Sequence, residues 1–279
     1  AERFLDELEY QVSKYQLDAV RFLDEDFFVN HKRVIAIVEG LERRKIGIVW
    51  GTNVRADYFN EERISLDFAG RLRNIGVKFL SIGAESGSDR VLGFLKKDIT
   101  VADTLNSART CNLAGIVPVY SWMCGTPTET KKEMEMTLSL IREVTRICPS
   151  AIHYNPQVYR PYPGGELYEW CKSRELYEPS SVEEWRKVAD HQDPNTGAHP
   201  VRKLHWLDDY VFVEFISTFM PEIVGIYRSR NLFYRLLSTL PQKLVGAWDY
   251  PVVGWLANKA AYMMLSTLHL ARNMTRSSG

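Results

Sequence analysis

Between Leu17 and Gln157 the apolar positions alternate between two periods. Short β-type runs occur at Ala19–Leu23 (AVRFL), Gly47–Trp50 (GIVW), Val77–Ile82 (VKFLSI), Val117–Met123 (VPVYSWM) and Ala151–Val158 (AIHYNPQV). Between them Lys32–Arg44, Asn60–Asn74, Ser88–Leu95, Thr100–Ala114 and Glu129–Ile147 read as helices. A strand start about every 30 residues predicts successive βα units and a parallel sheet. The glycines of NIGV (Asn74–Val77) and LAGIV (Leu113–Val117) stand where a helix ends in positive φ before the next strand. A polar helical stretch, Ala1–Gln16, precedes the first run. Helices in such folds follow strands, so the expected architecture is α/β. It is a partial parallel barrel whose first strand lies upstream, followed by an α-helical C-terminal region. The boundary is placed at 171/172.

After Tyr159 the pattern changes. RPYPGG (Arg160–Gly165) is a turn, GELYEWCKSREL a short helix, and HQDPNTGAHP (His191–Pro200) a polar loop. From Lys203 the chain reads as helical and aromatic. Ile223–Gly279 holds seven Lys/Arg against one acid, Asp249. Val252–Leu270 is 19 residues long, but Asn258, Lys259 and His269 interrupt it and argue against a transmembrane span. Two readings of this tail stay open. It is a helical cap on the barrel or on a further domain, or a basic, apolar surface that touches anionic lipid and suits a lipid-like substrate.

Composition narrows the function. The chain has 279 residues with 35 basic and 35 acidic side chains. Its 45% hydrophobic content and zero net charge exclude disorder as the main state. They also argue against a nucleic-acid partner held chiefly through phosphates. Cys111, Cys124, Cys148 and Cys171 are scattered, with no CxxC or CxxxCxxC among them. Sequence-local thiolates therefore build neither a zinc ribbon nor an iron–sulfur loop. Few scattered cysteines and no apolar leader run predict a cytoplasmic protein, membrane-associated if the tail meets lipid. An opening at Ala1 within a helix, without Met, predicts a part of a longer chain.

In parallel barrels the chemistry sits at the C-terminal strand ends. The first run leads into Phe22-Leu23-Asp24-Glu25-Asp26-Phe27, whose acids either hold a cation or ammonium group or cap the next helix. The second leads into Asn53, Arg55 and Asp57. Arg55 either pairs with Asp57 or meets a substrate carboxylate. In the third, Gly83 and Gly87 flank Glu85 and Ser86, small residues that would let a ligand approach. The fourth carries Ser121 and the Cys124–Gly125 turn, then Gly-x-Pro-x-Glu-Thr and a capped helix start. Cys124 reads more simply as a packed thiol than as a nucleophile. In the fifth, His153, Asn155 and Gln157 share one face and Ile152, Tyr154 and Val158 the other. The polar face predicts a wet, ligand-holding interior. There is no GxSxG and no strand-end lysine for a Schiff base.

Taken in order, FLDEDFFVN, WGTNVRAD, LSIGAESGSDRVL, GIVPVYSWMCGTPTET and YRPYPGGELYEWC resemble one family over Leu17–Cys171. The resemblance is to the radical S-adenosylmethionine enzymes, in particular the branch with an N-terminal cobalamin-binding domain. That branch shows F-x-D-D-x-F, R-x-D, G-x-E-S-G, G-x-P-x-E-T and P-Y-P-G-T-x-L-Y at these places. It implies a partial (β/α)6 barrel that binds S-adenosylmethionine at a [4Fe–4S] cluster and reduces it to a 5′-deoxyadenosyl radical. By position, it places Asp24 and Glu25 near the methionine end. Glu85 and Ser86 fall near the ribose and amino-acid moiety, and Ser121, Cys124 and Gly125 beside the adenine. Asn53, Arg55, His153, Asn155 and Tyr159 face the substrate or the cobalamin. The sequence departs from the family in lacking the first strand, the CxxxCxxC loop and a cobalamin domain. Gly165 and Thr128 also replace a usual Thr and Gly. No metal ligand is therefore assigned here. The expected activity of the whole enzyme is methyl transfer or ring remodelling of a small or lipid-like substrate, this part alone being inactive. The alternative is a non-catalytic barrel that binds a nucleotide-like ligand or a protein partner.

Overall fold

The computed structural model describes residues 1–174, 180–182, 213 and 217. Most of the tail, with its helical and lipid-contact expectations, lies outside these residues. The chain packs as two compact units, one of 1–123 and 129–154, the other of 124–128 and 155–279.

The first unit opens with α1 (Glu2–Tyr15), which buries Leu5 and Leu8. Then come β1 (Ala19–Arg21), α2 (His31–Arg44), β2 (Val49–Val54), α3 (Leu66–Asn74), β3 (Val77–Glu85), α4 (Asp89–Phe94), α5 (Val101–Ala114), β4 (Val117–Cys124), α6 (Lys131–Ile147) and β5 (Ile152–His153). The strands lie in the order β1-β2-β3-β4-β5. Each adjacent pair is parallel. This is the expected α/β architecture, and sequential order is what short right-handed βα connections produce.

Side-chain polarity sorts the two faces of the sheet. Trp50, Thr52, Leu80, Ile82, Tyr120 and Trp122 are buried. The alternate positions carry Gly51, Asn53, Ser81, Gly83 and Ser121. The helices start where polar caps allow. Asn30 caps α2, Ser65 caps α3, and Thr100 and Thr130 form capping boxes with Asp103 and Glu133 at α5 and α6.

Three elements differ from the sequence expectation. β2 runs on to Val54 rather than stopping at Trp50, because its polar positions face the open side of the sheet. α3 begins at Leu66 rather than Asn60. The Asn60 Oδ1 accepts from the N–H groups of Glu62 and Arg63, which closes a turn before Ser65 caps the helix. The fifth run is two short strands, β5 and β6 (Gln157–Val158), because Pro156 has no N–H for a continuous ladder. β6 belongs to the second unit, as does α7 (Glu166–Lys172).

Gly87 is where the loop after β3 touches α6. A Cβ there would collide with the Met136 carbonyl, and its N–H donates to Thr137 Oγ1 at 2.8 Å. Gly87→Ala is expected to lower unfolding free energy by about 1–3 kcal/mol in urea titrations. Gly93→Ala, at a site with nothing within 4 Å of the added carbon, is expected to be neutral or stabilising by up to about 1 kcal/mol.

Candidate functional site

The C-terminal strand ends of the first unit line a half-open cavity of about 330 Å³, walled by polar side chains together with Val54, Ile82, Ile99 and Val119. Its wall alternates along the sheet as a period of two requires: Arg21 from β1, Asn53 from β2, Ser81 and Gly83 from β3, Val119 and Ser121 from β4. Tyr154, just past β5, and Glu25, in the acidic loop after β1, complete it together with Lys97 and Ile99. Asn53 Nδ2 donates to the Asp24 carbonyl at 2.8 Å and so ties the acidic loop to β2. Ser81 and Ser121 make no side-chain hydrogen bond among the described residues, which leaves their hydroxyls free for a ligand.

Glu85 ends β3 in an unusual backbone. Its φ is 59°, in the left-handed region where a side chain costs roughly 1–3 kcal/mol. The Ser86 N–H bonds the Ala84 carbonyl at 2.7 Å, closing a three-residue turn around it. The β3–β4 register also slips between Gly83 and Glu85. The bend folds the Glu85 carboxylate back over Gly83. A Cβ on Gly83 would lie 2.8 Å from Glu85 Oε1. Lys97 Nζ then holds that oxygen at 2.9 Å. Lys97 is itself positioned by Arg55, whose guanidinium donates to the carbonyls of Lys97 at 2.8 Å and Asp98 at 3.3 Å and pairs with Asp57 at 2.9 Å. Partial burial works against the Arg55 charge, but the Asp57 bond and nearby acids raise its basicity. Arg55 thus lines the cavity while its hydrogen bonds are spent on the loop, which decides between its two sequence readings in favour of the ion pair.

The motif after Glu85 faces α6. Ser86 is buried, its Oγ 3.4 Å from Thr137 Oγ1 and accepting from the Ser88 N–H at 3.1 Å. Its expected cofactor contact is therefore corrected: the side chain is used inside the fold. Gly87 likewise makes room for α6 rather than for a ligand, whereas Gly83 makes room for Glu85 and also lines the cavity. The anchor is Glu133, which accepts from Ser88 Oγ at 2.9 Å and from Arg90 at 2.6 and 2.7 Å. It also accepts from the Thr130 N–H and hydroxyl. The Arg90 bonds, helped by Thr130 and Ser88 and opposed by burial, pull its carboxyl down to about 2.

His153 is also corrected. Its Cα pairs in register with Tyr120, so it lies on the helix-covered side, whereas Tyr154 lines the cavity. The ring stacks beside Tyr120 and Trp122. Nδ1 accepts from Trp122 Nε1 at 3.2 Å, which places the proton on Nε2, 3.1 Å from Thr145 Oγ1. Thr145 in turn donates to the Ile141 carbonyl at 2.7 Å. The assignment by alternation was one residue out of phase, and a one-residue slip exchanges the two faces of a strand.

Of the first acidic loop, Glu25 lines the cavity, and Asp24 lies 3.8 Å from the Arg33 guanidinium of α2, whose cap is Asn30. Asp26, read as a helix cap or a cation holder, instead accepts from Tyr58 Oη at 2.7 Å. Burial and the Asp26 bond raise the Tyr58 phenol above its ordinary value. Cys124, Gly125, Asn155 and Tyr159 belong to the second unit. There Cys124 is buried, its Sγ directed at the Pro156 carbonyl at 3.8 Å, as a packed thiol. Its carbonyl accepts from the Tyr159 N–H at 2.9 Å. Burial, with the neighbouring Cys171, pushes the Tyr159 phenol up to about 12. Gly125 adopts φ 68°.

Sequence reasoning missed Arg21, Ser81, Lys97 and Tyr154. Strand phase would have found the first two, since Arg21 and Ser81 share the inward parity of Asn53 and Ser121. Lys97 sits in a helix–helix loop and gave no local signal.

Consecutive parallel strands with a cavity at their C-terminal ends define an α/β protein of partial-barrel type. Residues 1–141 match the model of the Radical SAM superfamily, and the chain belongs to that family. It is 29% identical over 204 residues to an uncharacterized methyltransferase of Pyrococcus horikoshii, covering 73% of this chain and 40% of that protein. It is 24% identical over 173 residues to the anaerobic magnesium-protoporphyrin IX monomethyl ester cyclase of Rubrivivax gelatinosus, covering 60% of this chain and 29% of that one. The chain thus spans less than half the length of these relatives. Among solved structures it resembles TsrM, a radical S-adenosylmethionine methyltransferase from Kitasatospora setae with cobalamin and a [4Fe–4S] cluster bound. The TM-score is 0.52 at 16% identity, covering 61% of this chain and 33% of that one.

The family implies S-adenosylmethionine and a [4Fe–4S] cluster. The described residues do not fit the cluster. No three His, Cys, Asp or Glu side chains among them are grouped to hold a metal, and the four cysteines are buried and separate. They do fit S-adenosylmethionine, through the free hydroxyls of Ser81 and Ser121 and the carboxylates of Glu25 and Glu85 in or beside one cavity.

Glu133 generates a prediction. Its carboxyl has a lower pKa folded than unfolded, so its stabilisation is complete above about pH 4.5 and is lost as pH falls toward 2. Glu133→Gln is expected to lose about 2–3 kcal/mol at pH 7, with the gap to wild type closing in denaturation curves below pH 4.

Proposed function

We propose that this cavity is the S-adenosylmethionine and substrate side of a radical S-adenosylmethionine enzyme. The proposed reaction is cobalamin-dependent methyl transfer or ring remodelling, with cluster ligands and cobalamin supplied outside the described residues. The observation that carries the reading is Glu85. A carboxylate is held in strained backbone by Lys97 beside the open hydroxyls of Ser81 and Ser121. Strain of this kind persists only where the surroundings hold it, and it clusters at ligand sites. The reaction class draws on the names of the methyltransferase and cyclase relatives.

S-adenosylmethionine supplies the methyl or adenosyl group in this chemistry. The chain's own residues bind and orient it. Glu85 accepts from ribose hydroxyls or the ammonium group, and Ser121 bonds the adenine side. Glu25 faces the methionine end. Arg55 does not touch the ligand but fixes the loop that brings Lys97 to Glu85.

In the holoenzyme, Glu85→Ala is expected to weaken S-adenosylmethionine binding at least tenfold, about 1.4 kcal/mol, by calorimetry. Ser86→Ala, which alters a buried contact with α6, is expected to stay within twofold. Unchanged affinity in Glu85→Ala would sink the assignment.

A second reading is a non-catalytic barrel that binds a nucleotide-like ligand or a protein partner. It is favoured by the lack of a metal-holding group among the described residues. Iron and sulfide analysis separates the two: about four of each per holoenzyme is expected for the first reading. Iron-free protein that still binds S-adenosylmethionine supports the second.

A further inference from the structure

We propose that His153 is a positioning residue for the cavity, a neutral strut that fixes Tyr154 in the cavity wall and releases it on protonation. The inference rests on the reading of the cavity as a ligand site. β5 has two residues and meets β4 at two registered pairs, Ile152 with Val119 and His153 with Tyr120. The next residue, Tyr154, donates its N–H to the Tyr120 carbonyl at 2.9 Å and lines the cavity with an exposed side chain. So short a ladder is well below the usual strand length, and side-chain contacts carry a large share of its hold on the sheet. His153 supplies them. Its ring stacks beside Tyr120 and Trp122 with centres 5.7 and 5.8 Å apart. One nitrogen joins β5 to Trp122 of β4 and the other joins it to Thr145 of α6.

The strut works in one protonation state. An indole nitrogen is a donor only, so the bond from Trp122 requires an unprotonated Nδ1. Thr145 spends its own proton on the Ile141 carbonyl, so its oxygen accepts from Nε2. An imidazolium turns two donors toward each other at the Trp122 contact, and the indole of a fully buried tryptophan loses its acceptor. The titratable groups nearby on the facing elements are Tyr120 of β4, Cys111 of α5 and Cys148 at the end of α6. Burial pushes the Tyr120 phenol and the Cys111 thiol well above their ordinary values, so neither offers an anion to hold an imidazolium. On the turns of α6 around Thr145 the charged residues are Arg142, Glu143 and Arg146, of which Glu143 and Arg146 are exposed and pair at 3.8 Å. A side chain that titrates near neutral pH thus stands next to a cavity wall residue.

The test is a pH titration of the holoenzyme read by fluorine NMR. Fluorotyrosine reports Tyr154 and fluorotryptophan reports Trp122, each resonance assigned by its loss in Tyr154→Phe or Trp122→Phe. Both resonances are expected to move together between pH 8 and pH 5.5, the range in which imidazoles ordinarily titrate. In His153→Asn, whose side-chain oxygen can take the Trp122 N–H and does not titrate, both are expected to stay fixed. His153→Phe keeps a ring but neither hydrogen bond, and is expected to show the low-pH Tyr154 signal throughout. S-adenosylmethionine affinity, by calorimetry, is expected to fall at least threefold more over this range in the wild type than in His153→Asn. Resonances that stay fixed in the wild type overturn the strut without any variant. A Trp122 signal that moves while Tyr154 stays fixed also overturns it, as does a Tyr154 shift that persists in His153→Asn. Equal pH profiles of S-adenosylmethionine affinity in wild type and His153→Asn overturn the positioning role and leave the proposed function standing. Coupled movement of both resonances in a protein that takes no S-adenosylmethionine at any pH supports the strut and sinks the proposed function instead.

Discussion

The docking of the loop after β3 onto the start of α6 governs the geometry of the cavity. A single carboxylate, Glu133, caps its own helix through Thr130 and receives Ser88 and Arg90 from the loop. Five donors converge on it, and it is largely buried, so removing it leaves several polar groups without their acceptor. Gly87 allows the backbones to touch, and Thr137 takes its N–H. With the loop fixed at Ser86–Arg90, the preceding residue has little freedom. The positive φ of Glu85 follows from this anchorage as much as from the pairing of β3. Strain at the cavity edge is thus offset by hydrogen bonds on the opposite side of the loop.

The cations around the cavity divide by function. Arg55 acts on backbone: by binding two carbonyls of the α4–α5 connection it places Lys97 where its ammonium meets Glu85. Lys97 acts on a side chain, holding one oxygen of Glu85 and leaving the other for a partner. Among the described residues, the Arg21 guanidinium meets the Phe79 ring. The cavity thus carries the Glu25 carboxylate and the hydroxyls of Ser81 and Ser121, with the Lys97–Glu85 pair at its edge.

Fold class was legible because βα alternation is a local, repeated signal. The helix starts at Thr100 and Thr130 were legible because caps act within three residues, whereas Ser65 was missed, since the polar run from Asn60 reads as helix until the turn at Asn60 is seen. Glu25, Asn53, Arg55 and Ser121 were found at the cavity because strand ends cluster there in any parallel barrel. Ser86 was misread because a serine beside a motif glutamate looks the same in sequence whether it faces a ligand or Thr137. His153 was misread because a strand of two residues next to Pro156 offers too short an alternation to set its phase.

The sequence by itself determined the order of elements, the family and the set of residues near the strand ends, since these depend on periodicity and on motif spacing. The tertiary structure alone decided which of them face the cavity and which charges remain unspent. The partners that commit those charges are distant in sequence: Lys97 for Glu85, the Asp98 carbonyl for Arg55, Glu133 for Ser88, Phe79 for Arg21. Whether a side chain is free for a ligand depends on such long-range contacts, and no local pattern encodes them.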